Sequence, residues 1–202
     1  LADFLENFRQ NNPSRIPLVF YSLKLRTADV SWLKKTHPWV HVHDFNFEEY
    51  PEYFDVDISR GEYAWKPVIV RDVLDSLALT ALWLDSGDRL KDPSALQNAF
   101  EIIENKGFVT TETSGTTQTW VHPETLRYLD ASDVDSPMCN GAIIGFSRLH
   151  HAIYEHVVKP WAECALVREC IAPTGSSRRN HRRDQAVLTV LLYKNKYTCD
   201  IK

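Results

Sequence analysis

Leu79-Thr80-Ala81-Leu82-Trp83-Leu84-Asp85-Ser86-Gly87-Asp88 joins an apolar run to an acidic turn. The run reads as a buried strand, so Trp83 and Leu84 are expected to be largely covered. It stops on a carboxylate. Open α/β sheets bind ligands beyond the carboxyl ends of their strands, which makes Asp85 a charge delivered rigidly to a sheet edge. Asp85 and Asp88 on one tight turn can grip a hard cation through oxygen. Such a cation bridges diphosphate oxygens and neutralises a departing nucleotide. The same four residues are also good turn formers with no further role.

The segments around this stretch alternate between the two periodicities. Leu1, Phe4, Leu5 and Phe8 repeat at helical spacing. Ile16 to Leu23 is a continuous apolar run that reads as a strand, and a short helix from Thr27 carries Val30, Trp32 and Leu33. Val40 and Val42 alternate with His41 and His43, a half-exposed strand on which the histidines form a polar face. Asn46 to Glu62 is polar and reads as a surface loop. A helix opens near Pro67 and buries Val68, Ile69, Val73, Leu74 and Leu77. Past the acidic turn come a helix from Pro93 to Gly107, a strand over Phe108 to Glu112, a short helix over His122 to Leu129 and a strand over Met138 to Phe146. A long helix after Ser147 is expected to be kinked at Pro160. Asp184 to Tyr193 is a helix, and Tyr197 to Ile201 a last strand. This order argues for one α/β domain with a mainly parallel mixed sheet flanked by helices.

With 202 residues the chain is long enough to bury a sizeable core. Its formal net charge of −4 gives no general attraction for polyanions, and no nucleic-acid motif occurs, so nucleic acid is not an expected partner. No apolar run is long enough to span a bilayer. No Gly-x-Ser-x-Gly elbow, Gly-x-Gly-x-x-Gly fingerprint or Walker A loop is present. Cys139, Cys164, Cys170 and Cys199 form no CxxC pair. Their even count permits two disulfides in an oxidising compartment. Their irregular spacing, in a chain whose core needs no staples, favours four small buried hydrophobes.

Two further segments carry charge at helix starts, where anions are favoured. Lys66 stands in Tyr63-Ala64-Trp65-Lys66-Pro67. Arg178-Arg179-Asn180-His181-Arg182-Arg183-Asp184-Gln185 is strongly basic until it ends on an acid and an amide. It reads as a phosphate or acidic-ligand site, or as a solvated basic loop. A lone acid in a cationic field stays ionised, which leaves Asp184 able to act as a base, a nucleophile or an anchor for a sugar hydroxyl.

Tyr-Ala-Trp-Lys-Pro, Leu-Trp-Leu-Asp-Ser-Gly, Asn-Gly-Ala-Ile-Ile-Gly-Phe and Asn-His-Arg-Arg-Asp-Gln follow one another in this order. The series resembles the glycosyltransferase A-type nucleotide-diphospho-sugar transferases, and most of all a poorly characterised eukaryotic family among them. The similarity runs from about Ile16 to Tyr193. It implies transfer of a hexosyl-type group from a nucleotide sugar to a hydroxyl on a glycan, protein or lipid, assisted by Mn²⁺ or Mg²⁺. It implies that Asp85, with Asp88, holds the metal. Lys66, Asp85, Asn140, Gly141, His181 and Arg182 would bind the nucleotide sugar, and Asp184 and Gln185 would act at the donor sugar. The usual Asp-x-Asp is incomplete, because Asp88 comes one place late. A non-catalytic glycan- or nucleotide-binding module of the same fold is the alternative. The resemblance also implies that a first strand precedes this segment, that the segment is cut at its C-terminal end as well, and that the protein works in the secretory pathway or Golgi lumen, with any membrane anchor outside the segment.

Overall fold

A computed structural model describes residues 1–200. The chain forms α1 (Ala2–Gln10), β1 (Leu18–Ser22), α2 (Thr27–Thr36) and β2 (Val40–Asp44). After three short 3-10 turns come α3 (Trp65–Ser76), β3 (Thr80–Leu84), α4 (Ala95–Lys106), β4 (Phe108–Val109) and β5 (Glu112–Thr116). Next are α5 (Thr117–Trp120), α6 (Pro123–Tyr128), β6 (Pro137–Cys139) and β7 (Ile143–Ser147). A continuous helical stretch holds α7 (His151–Ile153), a π-turn (Tyr154–Val158) and α8 (Lys159–Ala165), and is followed by α9 (Arg168–Ile171) and α10 (Asp184–Lys194).

The architecture is α/β, but the expected mainly parallel sheet is not what the strands build. β1 pairs with β2 in parallel, Leu18 opposite Val40. β7 lies between β3 and β4 and is antiparallel to both, with Leu82 and Val109 each opposite Gly145. β5 and β6 form a separate antiparallel pair with a bulge between Thr113 and Thr116. A helix between two strands sets their relative direction, so β3 and β4 do run parallel. It does not stop a later strand from inserting between them. A helix also packs closely on that inserted strand: a Cβ at Gly145 would push against the Ile103 side chain of α4 and force it to shift.

Insertion from one side leaves β3 at the edge of its sheet. Trp83 and Leu84 are therefore only half-buried, where they were expected to be largely covered. The Asn46–Glu62 stretch also differs from a plain surface loop. Its aromatic residues stack on one another, and Phe54 is fully buried in the main core. The expected strand over 108–112 divides into β4 and β5. That over 138–146 divides into β6 and β7 around Asn140-Gly141-Ala142. In the last expected strand, Tyr197–Cys199 is irregular and Asp200 makes a single parallel bridge to Thr111, while Ile201 lies outside the described residues.

The main core gathers α3, β7, α8 and α10 around the fully buried Trp161. Each leucine or isoleucine buried there contributes about 1.5–3 kcal/mol. α10 is covered on all sides from Ala186 to Leu192, as expected for a helix apolar around its whole circumference. It separates this core from a smaller one holding Met138, Leu126 and Val190. Trp161 Nε1–H donates to the Asp184 carbonyl at 2.8 Å, so the core also fixes where α10 begins. The π-turn before Pro160 has a local cause. Proline cannot donate to the carbonyl four residues back and its ring crowds that position. The freed His156 carbonyl instead accepts a bond from Asn195 Nδ2 at 3.1 Å.

The cysteines are paired, contrary to the reading as free hydrophobes: Cys139 with Cys199 and Cys164 with Cys170. Burial is common to both states of cysteine, so composition and spacing could not separate them. Cys139–Cys199 joins residues 60 apart and tethers the end of β6 to the end of the chain. Closing a loop of that length stabilises a fold by about 4 kcal/mol in the chain-entropy view.

Candidate functional site

Pro67 pre-sets the first turn of α3 and places Lys66 at its mouth, 3% exposed. β3 carries Asp85 to the same point, where its N–H donates to the Ala142 carbonyl at 3.0 Å and extends the pairing with β7. α10 supplies Asp184 as its first residue. These distant segments converge on one ammonium. Lys66 Nζ donates to Asp85 Oδ1 at 3.0 Å and to the Gly141 carbonyl at 2.7 Å, and lies 3.5 Å from Asp184 Oδ2. Trp83 Nε1–H donates to the same Asp85 oxygen at 2.7 Å. The Trp65 and Trp83 rings stand 6.0 and 5.3 Å from the ammonium.

The electrostatics follow from this packing. Burial works to lower the Lys66 pKa, but Asp184 and Asp85 outweigh it and the net shift is upward, so the lysine stays charged. Burial raises the Asp184 pKa; Lys66 opposes that, and the Asp85 charge adds to it. Asp88 is also raised, by burial first and by Asp85 second.

The cavity in front of Lys66 has a volume of about 220 Å³. Asp85, Asn140, Gly141, His181, Arg182, Asp184 and Gln185 all reach its lining, joined by Tyr63, Arg178 and Arg183. Asp88 is not part of that wall. Its Oδ2 accepts the Asp85 N–H at 3.0 Å and closes the acidic turn. Gln185 Nε2 donates to the Cys139 carbonyl at 2.7 Å, and Asn140 Oδ1 accepts the Ala142 N–H at 2.7 Å. Both amides thus spend one end holding the site together. The Arg182 guanidinium lies over the Trp120 ring, 3.9 Å from its centroid.

His181 departs furthest from the role the resemblance implies. It is fully buried, with Nδ1 accepting the His122 N–H at 3.2 Å and Nε2 placed 2.9 Å from the Ile171 carbonyl. That pairing requires the neutral ring with its proton on Nε2. Burial drives its pKa down to about 4. A folded pKa below the unfolded value means that the unfolded chain binds more protons as pH falls. Stability is therefore present above about pH 6.5 and is lost on the way down to about pH 4, on the order of 3 kcal/mol. We expect melting curves between pH 7 and pH 4.5 to show this loss, and His181→Gln to flatten the slope. An unchanged slope in that variant would remove His181 as its source.

Sequence reasoning missed the loop that faces the basic segment. Ser59, Arg60, Glu62 and Tyr63 all have positive φ, and so does Arg183 across the cavity. Gly61 sits among them at φ +64, where a Cβ would meet the Phe54 carbonyl. Glu62 pairs with the buried Arg183, and the Tyr63 hydroxyl accepts from Arg178 at 2.7 Å and Arg60 at 3.0 Å. Left-handed backbone at bulky residues persists only where surroundings enforce it. Glycine 61 between polar neighbours was the one available signal.

Comparison with protein-family models gives no match, and no curated protein matches the chain.

The metal-binding residues implied by the resemblance do not form a fitting site. Asp85 Oδ1 already accepts from Lys66 and Trp83, and Asp88 Oδ2 accepts from backbone. A divalent ion sharing Asp85 would also face the Lys66 ammonium. Among the described residues no three acids, histidines or cysteines cluster as ligands.

Proposed function

We propose that the chain is a glycosyltransferase of the A-type class, moving a sugar from a nucleotide-sugar donor to a hydroxyl acceptor in the cavity before Lys66. The observation that carries this reading is the convergence of Asp85 and Asp184 on a buried ammonium beside two further cations, Arg178 and Arg182. Cations for a diphosphate and carboxylates able to take an acceptor proton thus line one cavity.

In this scheme the acceptor oxygen bonds to the anomeric carbon as the bond from that carbon to the diphosphate oxygen breaks. The nucleoside diphosphate leaves with the electron pair. Lys66, Arg178 and Arg182 stabilise the charge that develops on it. The acceptor proton passes to Asp184, whose proton affinity is raised by burial. Asn140 and Gln185 hold the strand and helix that frame the sugar. The paired cysteines fit an oxidising compartment, which supports a secretory-pathway location.

A binding module without turnover is the second reading. The amide ends tied to backbone at Asn140 and Gln185, and the turn-closing role of Asp88, favour it. Both readings require a nucleotide or glycan ligand. A thermal-shift screen of purified protein with UDP, GDP and their hexose conjugates tests that requirement. A ligand at a hundred times its Kd stabilises by about 2.7 kcal/mol, so a clear rise in melting temperature is expected. No rise with any nucleotide sugar would sink the transferase reading.

A further inference from the structure

We infer that the Lys66 ammonium occupies the cation position of this site as a permanent part of the fold, so that a nucleoside diphosphate binds here without a divalent ion. The ligand in this inference is the one proposed above, while the cation position follows from the geometry alone.

Two carboxylates and a backbone carbonyl converge on one point: Asp85 Oδ1, Asp184 Oδ2 and the Gly141 oxygen. That is an all-oxygen set of the kind a hard divalent cation takes. Nζ takes it instead, and its three donors suit three oxygens. Nor is the lysine free to swing aside. It is 3% exposed, it is followed by Pro67, and its end is flanked by Trp65 and Trp83. Moving it would break its bonds to Asp85 and the Gly141 carbonyl and leave Asp184 buried without its partner.

The charge around the cavity makes a second cation unnecessary. Arg183 is matched by Glu62. Arg178 and Arg182 line the same wall and have no carboxylate partner among the described residues. Arg178 is held by the Tyr63 hydroxyl and Arg182 by the Trp120 ring, so both are positioned before a ligand arrives. Guanidinium groups meet phosphate oxygens bidentately, which a lysine cannot do. Lys66 then holds the two carboxylates together, and the two arginines supply uncompensated charge and directed hydrogen bonds.

The test has two independent arms. Calorimetry with UDP compares binding in EDTA with binding in Mn²⁺; the affinities are expected to agree within about threefold, and a gain of more than about tenfold in Mn²⁺ overturns the inference. Titration of Mn²⁺ followed by electron paramagnetic resonance addresses the position directly. Wild-type protein is expected to leave the aqua-ion signal intact. Lys66→Ala frees the oxygen set, so the variant is expected to take up Mn²⁺ and to melt higher in its presence. Stoichiometric Mn²⁺ on wild type overturns the inference, as does a folded variant that gains none. If the variant does not fold, the wild-type titration still decides. If UDP binds under neither condition, the transferase reading fails while the Mn²⁺ arm still judges the cation position.

Discussion

Asparagine at position 184 is expected to lower sugar-transfer turnover on the order of a hundredfold while the protein melts near wild type. Asp184 is the first residue of α10 rather than its cap, since Arg183 holds the capping position. Its carboxylate therefore does not end the helix; it points to Lys66, 3.5 Å away. Asparagine has nearly the same shape and satisfies the first turn of a helix well. Lys66 keeps Asp85 at 3.0 Å and the Gly141 carbonyl at 2.7 Å, so its charge is not stranded. The cost in stability should stay within about 1 kcal/mol, because only one of three partners changes and the replacement is still polar. Turnover behaves differently, because an amide cannot accept the acceptor's proton. Steady-state rates with a nucleotide-sugar donor, set beside melting and nucleotide affinity, separate the two effects. Unchanged turnover would reduce Asp184 to a structural acid and move the preference to the binding module.

Lys66→Ala is expected to have the largest effect on stability, about 3–5 kcal/mol at neutral pH. Removing one partner of a buried ion pair leaves the other charge uncompensated, and here Asp184 is left 5% exposed with Asp85 nearby. The pH dependence gives the effect a signature. In the wild type the Lys66 pKa is raised, so its contribution is fully present below the unfolded value and is lost only as pH rises through the folded one, far into the alkaline range. In the variant the penalty belongs to Asp184. An acid whose folded pKa is raised destabilises when ionised and not when protonated, so the variant should recover towards wild type as pH falls towards 4. Urea unfolding of both proteins at several pH values measures this. A loss below about 1 kcal/mol at pH 7 would show that the ammonium is not what holds the carboxylates together.

Some of this could be read before any coordinates. The helix at Asp184 was legible because an acid at a helix start and an apolar run beyond it are neighbours in sequence. The end of β3 at Asp85 was legible for the same reason. Lys66, Asp85 and Asp184 could each be singled out locally, but only the resemblance grouped them with one another and with Asn140 and Gly141. His181 illustrates the limit. A histidine inside a run of arginines has every local mark of an anion contact, yet both of its ring nitrogens face His122 and Ile171, brought there by the packing of α6 and α9.

By itself, then, the sequence determined what depends on contacts within a few residues: the helix starts near Pro67 and at Asp184, the turn that closes Asp85 to Asp88, and the α/β alternation. Tertiary structure alone decided that β7 would insert between β3 and β4, that Cys139 would meet Cys199, and that Lys66 would stand between Asp85 and Asp184. The reason is physical. Propensity, periodicity and turn chemistry act over one or two turns of chain. Strand pairing, disulfides and buried ion pairs join residues far apart, and their free energy depends on which other surfaces have already been covered.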